Sequence, residues 1–218
     1  ITKKTKAIMP VHWGGYPCDM DEINEIAKNF NLLVIEDAAH ALGATYKGKP
    51  IGSISDFTAF SFQAIKHLTT GDGGALCCKN EKHYKDSKNN RWFGIDRENS
   101  QFSNLGERKY DIKRVGYKYH MNDIAAAIGL GNLEEFSLHY NQIQKIANFY
   151  RKELSNVRGI KLLKYKDDRQ SAYWLFTILV ENRLDFIKKM EAEKIPVSVV
   201  HQRIDRYSVF GSITPGLS

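Results

Sequence analysis

"LLVIEDAAH", residues Leu32 to His40, is the stretch whose reading decides the fold of this 218-residue chain. An apolar run from Leu32 to Ile35 passes directly into two acids, Glu36 and Asp37. Such a run, β-branched at its centre, reads as a strand buried on both faces, as in a parallel sheet. Just upstream, "DMDEINEIAKNFN" sets Met20, Ile23, Ile26, Ala27 and Phe30 on one helical stripe. Asp19 is the expected N-cap of that helix, and Glu22 three residues on suits a capping box. "KAIMPVHW" before it is a short strand with a polar end. Strand, helix and strand in quick succession make a βαβ unit.

Working outward, "KGKPIGSISD" is a turn region, "FTAFSF" the next strand and "GGALCCKN" another. Cys77 and Cys78 are expected there as buried residues of opposite facing. "EKHYKDSKNNRWFG" reads as helix, and residues 99–120 as an extended or looping excursion. The stretch from Met121 to Asn156 carries sustained helical periodicity, as one helix or as two, because Gly129 and Gly131 weaken its early part. Asn122 or a neighbour should cap it. Beyond "VRGIKLL" come a strand in "SAYWLFTILVE", a helix in "RLDFIKKMEAEKI" and a strand in "PVSVVHQ". The expected division is residues 1–154, a large domain with its long connecting helix, and residues 155–218, part of a smaller α+β domain.

Composition is that of an ordinary globular chain, 42% hydrophobic and 26% charged. No run is long enough to cross a membrane, and the first residues carry no signal-peptide core. The net charge of +7 is scattered, and acids interrupt the basic run in "KNEKHYKDSKNNR". That favours a solvated face over a nucleic-acid stripe, and no aromatic-basic interleaving argues otherwise. Three cysteines with no C-x-x-C pair argue against a zinc site and fit a reducing, cytoplasmic setting. The chain opens on Ile1 and closes on the turn-like "GSITPGLS", so part of a longer protein is expected.

Chemistry concentrates at two strand ends. Asp37 closes the "LLVIED" strand, and ligands in open α/β sheets bind beyond carboxyl ends. Lys66 follows the "FTAFSF" strand and its Ser61, ahead of the glycine-rich "TTGDGG". A desolvated lysine is a nucleophilic amine suited to a Schiff base. An acid, a hydroxyl and a lysine so placed suggest a pyridoxal phosphate (PLP) site, since that cofactor takes an amine at its aldehyde, an acid at its pyridine nitrogen and donors at its phosphate. Taken singly, Asp37 also reads as a helix cap or salt-bridge partner, Lys66 as a surface lysine, and His40 as a satisfied helix-start histidine.

The segments "PVHWGGYPCDMDEI", "VIEDAAHALGATYKGKPIGSISDFTAFSF", "KHLTTGDGGAL" and "GYKYHMNDIAAAIGLGNLEEF" resemble, in order, the DegT/DnrJ/StrS family. The likeness runs from about Lys6 to Phe210. It implies an α/β, PLP-dependent transferase (aspartate aminotransferase, type I) fold. That is a mostly parallel sheet with helices on both faces, plus a smaller C-terminal domain. It also implies transfer of an amino group from an amino acid, usually glutamate, to a keto group of a nucleotide-linked deoxysugar, in a homodimer with shared active sites. By resemblance Lys66 forms the Schiff base, Asp37 pairs with the pyridine nitrogen, His40 lies near the phenolic oxygen and Ser61 binds the phosphate. Relatives often read Gly-Tyr-Asn-Tyr-Arg-Met where this chain has "GYKYHM", so Lys118 holds the place of an Asn that reaches the other subunit's cofactor phosphate. His201, Arg203 and Tyr207 are candidates to approach the sugar nucleotide. The family is longer at both ends and supplies a further phosphate-binding segment ahead of this region. Its dehydratase members commonly carry His where Lys66 stands, which argues against that rival. A non-catalytic fragment or interaction protein of the same fold is the other alternative.

Overall fold

The structure, a computed structural model, describes residues 1–201 and 204–211. In chain order the first elements are β1 (Ala7–Ile8), α1 (Met20–Asn29), β2 (Leu33–Asp37), β3 (Thr45–Tyr46), β4 (Lys49–Pro50), β5 (Phe57–Ser61) and β6 (Gly74–Cys78). Then follow α2 (Glu81–Asn90), β7 (Gln101–Phe102), β8 (Arg108–Lys109), α3 (Asp123–Leu154), β9 (Ile160–Leu162), β10 (Arg169–Gln170), β11 (Ile178–Val180) and α4 (Arg183–Ala192). The central sheet has the order β1-β2-β5-β6. Its first three strands are parallel, and β6 runs antiparallel to β5. The register sets Asp37 opposite Ala59 and Ser61 opposite Gly74. Both Asp37 and Ser61 therefore close their strands at carboxyl ends, which is the fold class the sequence implies.

The packed core joins Met20 and Ala27 of α1 to Val34, Ala38, Ala41, Ala44, Tyr46, Ile51 and Ala172. It is narrower than the apolar pattern predicts. Ile26 and Phe30 of the α1 stripe are exposed, as is Leu33. In β2 burial alternates: Val34 and Glu36 are inside, while Ile35 and Asp37 are half-buried. In β6 Ala75 and Leu76 are exposed and the two cysteines half-buried, correcting the expectation of buried thiols. Among the described residues β6 pairs with β5 alone, so its outer side meets no strand.

Local chemistry explains the other differences. Asp19 precedes α1, but its carboxylate makes no cap; it is drawn instead to Lys166 Nζ at 2.6 Å and Arg169 Nη2 at 2.8 Å. Helix α3 is continuous, and Asn122 Oδ1 caps it by accepting from the Ala125 amide at 2.9 Å. Gly129 serves close packing, since a Cβ there would meet Thr70 Cγ2 at 2.7 Å. The excursion after α2 holds the small antiparallel β7–β8 pair. "SAYWLFTILVE" is a strand only at Ile178–Val180. Its first half is a strap whose amides are already taken: Ala172 N–H donates to Gly15 O at 2.9 Å and Leu175 N–H to Gly14 O at 3.2 Å. Residues 196–201 form no strand; Gln202 and Arg203 lie outside the described residues.

The chain divides into two compact units. The first comprises Ile1–Phe149 and Tyr165–Phe176, so the strap belongs with the central sheet. The second comprises Tyr150–Lys164 and the residues from Thr177 onward. It contains the antiparallel β9–β11 pair and α4, and Arg151 reaches the Leu163 carbonyl at 3.3 Å. Among the described residues no helix is long and apolar enough to cross a membrane.

Candidate active site

The end of β2 is pinned from both sides. The Asp37 amide donates to Pro10 O at 2.9 Å, and the His12 amide donates to Asp37 O at 3.0 Å. Asp37 Oδ1 accepts from the Ala39 amide at 3.1 Å, an Asx turn that starts the next loop. Strand alternation sends the preceding acid the other way. Glu36 is fully buried, 2.7 Å from His12 Nε2, and accepts from Thr58 Oγ1 at 3.0 Å. The Cys18 amide donates to His12 Nδ1 at 3.1 Å. That bond leaves the ring proton on Nε2, facing Glu36. The dipeptide thus splits its work: Glu36 closes a buried network, and Asp37 is left at the open strand end.

Lys66 lies in the turn beyond β5. Its amide donates to Gln63 O at 3.0 Å, and the Gln63 amide donates to Ser61 Oγ at 3.3 Å. The loop then returns to β6, with Phe62 N–H on Gly73 O at 2.8 Å and Thr70 N–H on Phe62 O at 2.9 Å. Gly74 allows this approach, because a Cβ there would lie 2.4 Å from Phe60 O. Burial pushes the Lys66 amine below the ordinary lysine value, partly opposed by the Asp37 carboxylate. Among the described residues its Nζ has no hydrogen bond or ion pair; it sits 4.0 Å above the centre of the Trp174 ring.

His40 opens the loop after Asp37. Its ring stacks on Trp174 with centroids 3.7 Å apart and planes 12° apart, and Trp13 meets its edge at 5.9 Å. The Gly14 amide donates to His40 Nδ1 at 3.3 Å. Asp37, His40, Ser61 and Lys66 thus all sit at the carboxyl ends of neighbouring β2 and β5 or in the loops that follow them. Lys118 is elsewhere, exposed and paired with Trp92 beside the end of α2, with no hydrogen bond or ion pair to Asp37, Ser61 or Lys66. A concavity of about 660 Å³ lined by Arg91, Trp92, Arg97 and His120 reaches neither Asp37 nor Lys66.

The donor set fits pyridoxal phosphate: a carboxylate closing one strand, a hydroxyl closing the next, and a half-buried amine in the turn that follows it. The strap has no clear signal in the sequence: the apolar pattern around Trp174 predicts a strand, and only the two aromatics in succession, Tyr173 and Trp174, mark the segment. His67 carries no sequence signal either. Its Nε2 lies 2.9 Å from Ala172 O, and burial lowers its pKa despite that carbonyl, so the neutral ring donates.

Residues 1–215 match the DegT/DnrJ/EryC1/StrS aminotransferase family. The chain is 43% identical over 206 residues to the uncharacterized protein MJ1066 of Methanocaldococcus jannaschii, covering 91% of this chain and 53% of that protein. It is 38% identical over 179 residues to GDP-perosamine synthase of Escherichia coli O157:H7, covering 82% and 46%. The crystal structure of the sugar aminotransferase CalS13 from Micromonospora echinospora superposes with a TM-score of 0.90 at 34% identity, over 100% of this chain and 60% of that one. Spr1654 from Streptococcus pneumoniae in its PLP form superposes with a TM-score of 0.83 at 30% identity, covering 96% and 58%. The chain spans about half the length of the curated relatives it matches.

Proposed function

Because this chain belongs to the DegT/DnrJ/EryC1/StrS aminotransferase family, we propose that its strand-end residues hold pyridoxal 5′-phosphate and serve amino transfer to a nucleotide-linked keto sugar. The observation that carries the reading is the placement of Asp37 and Lys66 at neighbouring strand ends. A half-buried amine, its pKa lowered by desolvation, stands within the field of a carboxylate that closes the adjacent strand. Bound PLP supplies an electron-accepting ring for the exchange of an amino group between two carbonyl carbons. The protein's part is done by four side chains. Lys66 Nζ would hold the cofactor through its aldehyde carbon and, when free, would take and return the proton moved during transfer. Its lowered pKa suits both tasks, since only the neutral amine accepts a proton. Asp37 would keep the ring nitrogen protonated, His40 would serve the phenolic oxygen, and the Ser61 hydroxyl would donate to the phosphate.

An amino acid, glutamate by family likeness, is the proposed donor. A homodimer is the proposed assembly, with Lys118 serving the phosphate in the partner subunit's site as a point charge. The proposed domains are residues 1–154, part of a large PLP-binding domain, and residues 155–218, part of a small one whose residues 165–176 pack with the large unit. The proposed setting is the cytoplasm, in keeping with three free cysteines.

The test is direct. The full chain is saturated with PLP, reduced with borohydride, digested and mapped. A phosphopyridoxyl label on Lys66, lost in Lys66→Ala, is expected. Equal labelling of wild type and Lys66→Ala would overturn the assignment.

A further inference from the structure

We propose that Trp174 is a positioning residue for the Lys66 amine, its indole face being the seat that the amine takes whenever it is not covalently engaged. The ring is fixed relative to the lysine by three independent restraints. Its Nε1–H donates to the carbonyl of Ile65, the residue immediately before Lys66, at 3.1 Å. The ring also stacks on His40, 3.7 Å away and nearly parallel. Its backbone belongs to the strap, held by Ala172 N–H on Gly15 O, Leu175 N–H on Gly14 O and the His67 contact to Ala172 O. Lys66 Nζ then lies 4.0 Å from the ring centre.

The chemistry of that seat suits a lysine with two tasks. A carboxylate against Nζ would lock it as ammonium and raise its pKa. A π-face attracts the ammonium more weakly, yet still fixes where the nitrogen waits. The amine is therefore localised without being held protonated. Asp37 is the carboxylate whose field reaches it, and His67 is the neighbouring imidazole whose own pKa feels Lys66. His40 is the third titratable group of the cluster, stacked on the same Trp174 ring that the amine meets.

The proposal rests on the reading of Lys66 as the cofactor-bearing amine for its purpose, but its test needs no cofactor. Lysines of the full chain are acylated competitively across a pH series without PLP, and the Lys66 peptide is quantified by mass spectrometry. In wild type the labelling midpoint of Lys66 should fall below the ordinary lysine value. Trp174→Leu keeps an apolar cover but removes the π-face, so the ammonium loses its attraction. The midpoint should then fall further, by about half a pH unit. Trp174→Phe keeps a ring and should restore the wild-type midpoint. An unchanged midpoint in Trp174→Leu, or one that rises toward the ordinary lysine value, would overturn the proposal, because the indole would then be only a cover. A second measurement covers a variant that fails to fold. Wild-type tryptophan fluorescence should show a step at the Lys66 labelling midpoint that Lys66→Met abolishes; a step surviving in Lys66→Met, or none in wild type, refutes the seat. Failure here with intact PLP labelling of Lys66 rejects Trp174 alone, whereas loss of PLP labelling rejects the cofactor reading.

Discussion

Replacing Gly15 with Ala should be among the costliest single-methyl changes in this protein. Gly15 has φ +95°, and a Cβ built on it lies 2.8 Å from His40 O, 2.9 Å from the Tyr173 amide nitrogen and 3.1 Å from the Trp174 amide nitrogen. All three are backbone atoms, so no side-chain rotation relieves the contact. The left-handed backbone costs an alanine about 1 kcal/mol. Moving the strap away stretches Ala172 N–H to Gly15 O and Leu175 N–H to Gly14 O, now 2.9 and 3.2 Å, each worth about 1 kcal/mol. Lower unfolded-state entropy returns roughly 0.5 kcal/mol. The net is a loss of about 2–3 kcal/mol. Urea unfolding followed by circular dichroism measures it, with Gly48→Ala as control. Gly48 has φ +76° but nothing within 4 Å of its built Cβ, so it should show the backbone strain alone. Equal losses in the two variants would refute the claim that the strap is wedged against Gly15.

Two further outcomes follow from buried polar groups. Glu36→Ala strands the His12 Nε2–H and the Thr58 hydroxyl, both fully buried, and should cost about 3 kcal/mol by chemical unfolding; Glu36→Gln, which keeps an acceptor, should cost markedly less. Tyr140 donates to Gly43 O at 2.8 Å, and burial pushes its phenol up to about 12. Because the folded value is raised, the phenol's contribution is complete below about pH 10, the ordinary tyrosine value, and fades as pH climbs through about 12. Absorbance titration should lose its most alkaline tyrosine step in Tyr140→Phe, at a stability cost of about 1 kcal/mol at neutral pH.

Much of the site was legible because its chemistry sits in short contiguous segments. "VIED" announces a strand that ends on an acid, and β2 ends at Asp37. "FTAFS" announces the next strand, and β5 ends at Ser61 with Lys66 just beyond. What misled was burial. The apolar runs implied strands covered on both faces, yet Leu33 and Leu76 are exposed. Apolar composition reports what a residue tolerates, whereas exposure depends on what packs against it. Asp19 shows the same limit: its position before a helix predicted a cap, but two cations from residues 166 and 169 compete more strongly for its carboxylate.

By itself the sequence determined the strands and helix that build the site, β1, α1, β2, β5 and β6, and the residue types at two carboxyl strand ends, because hydrophobic period and local turn chemistry are written along the chain. Only the tertiary structure decided that "SAYW" is a strap and not a strand. Its backbone partners, Gly14 and Gly15, lie more than 150 positions upstream. It also decided that Lys66 meets an indole face in place of an anion. Such partnerships are set by which distant segments share space, and no local pattern encodes them.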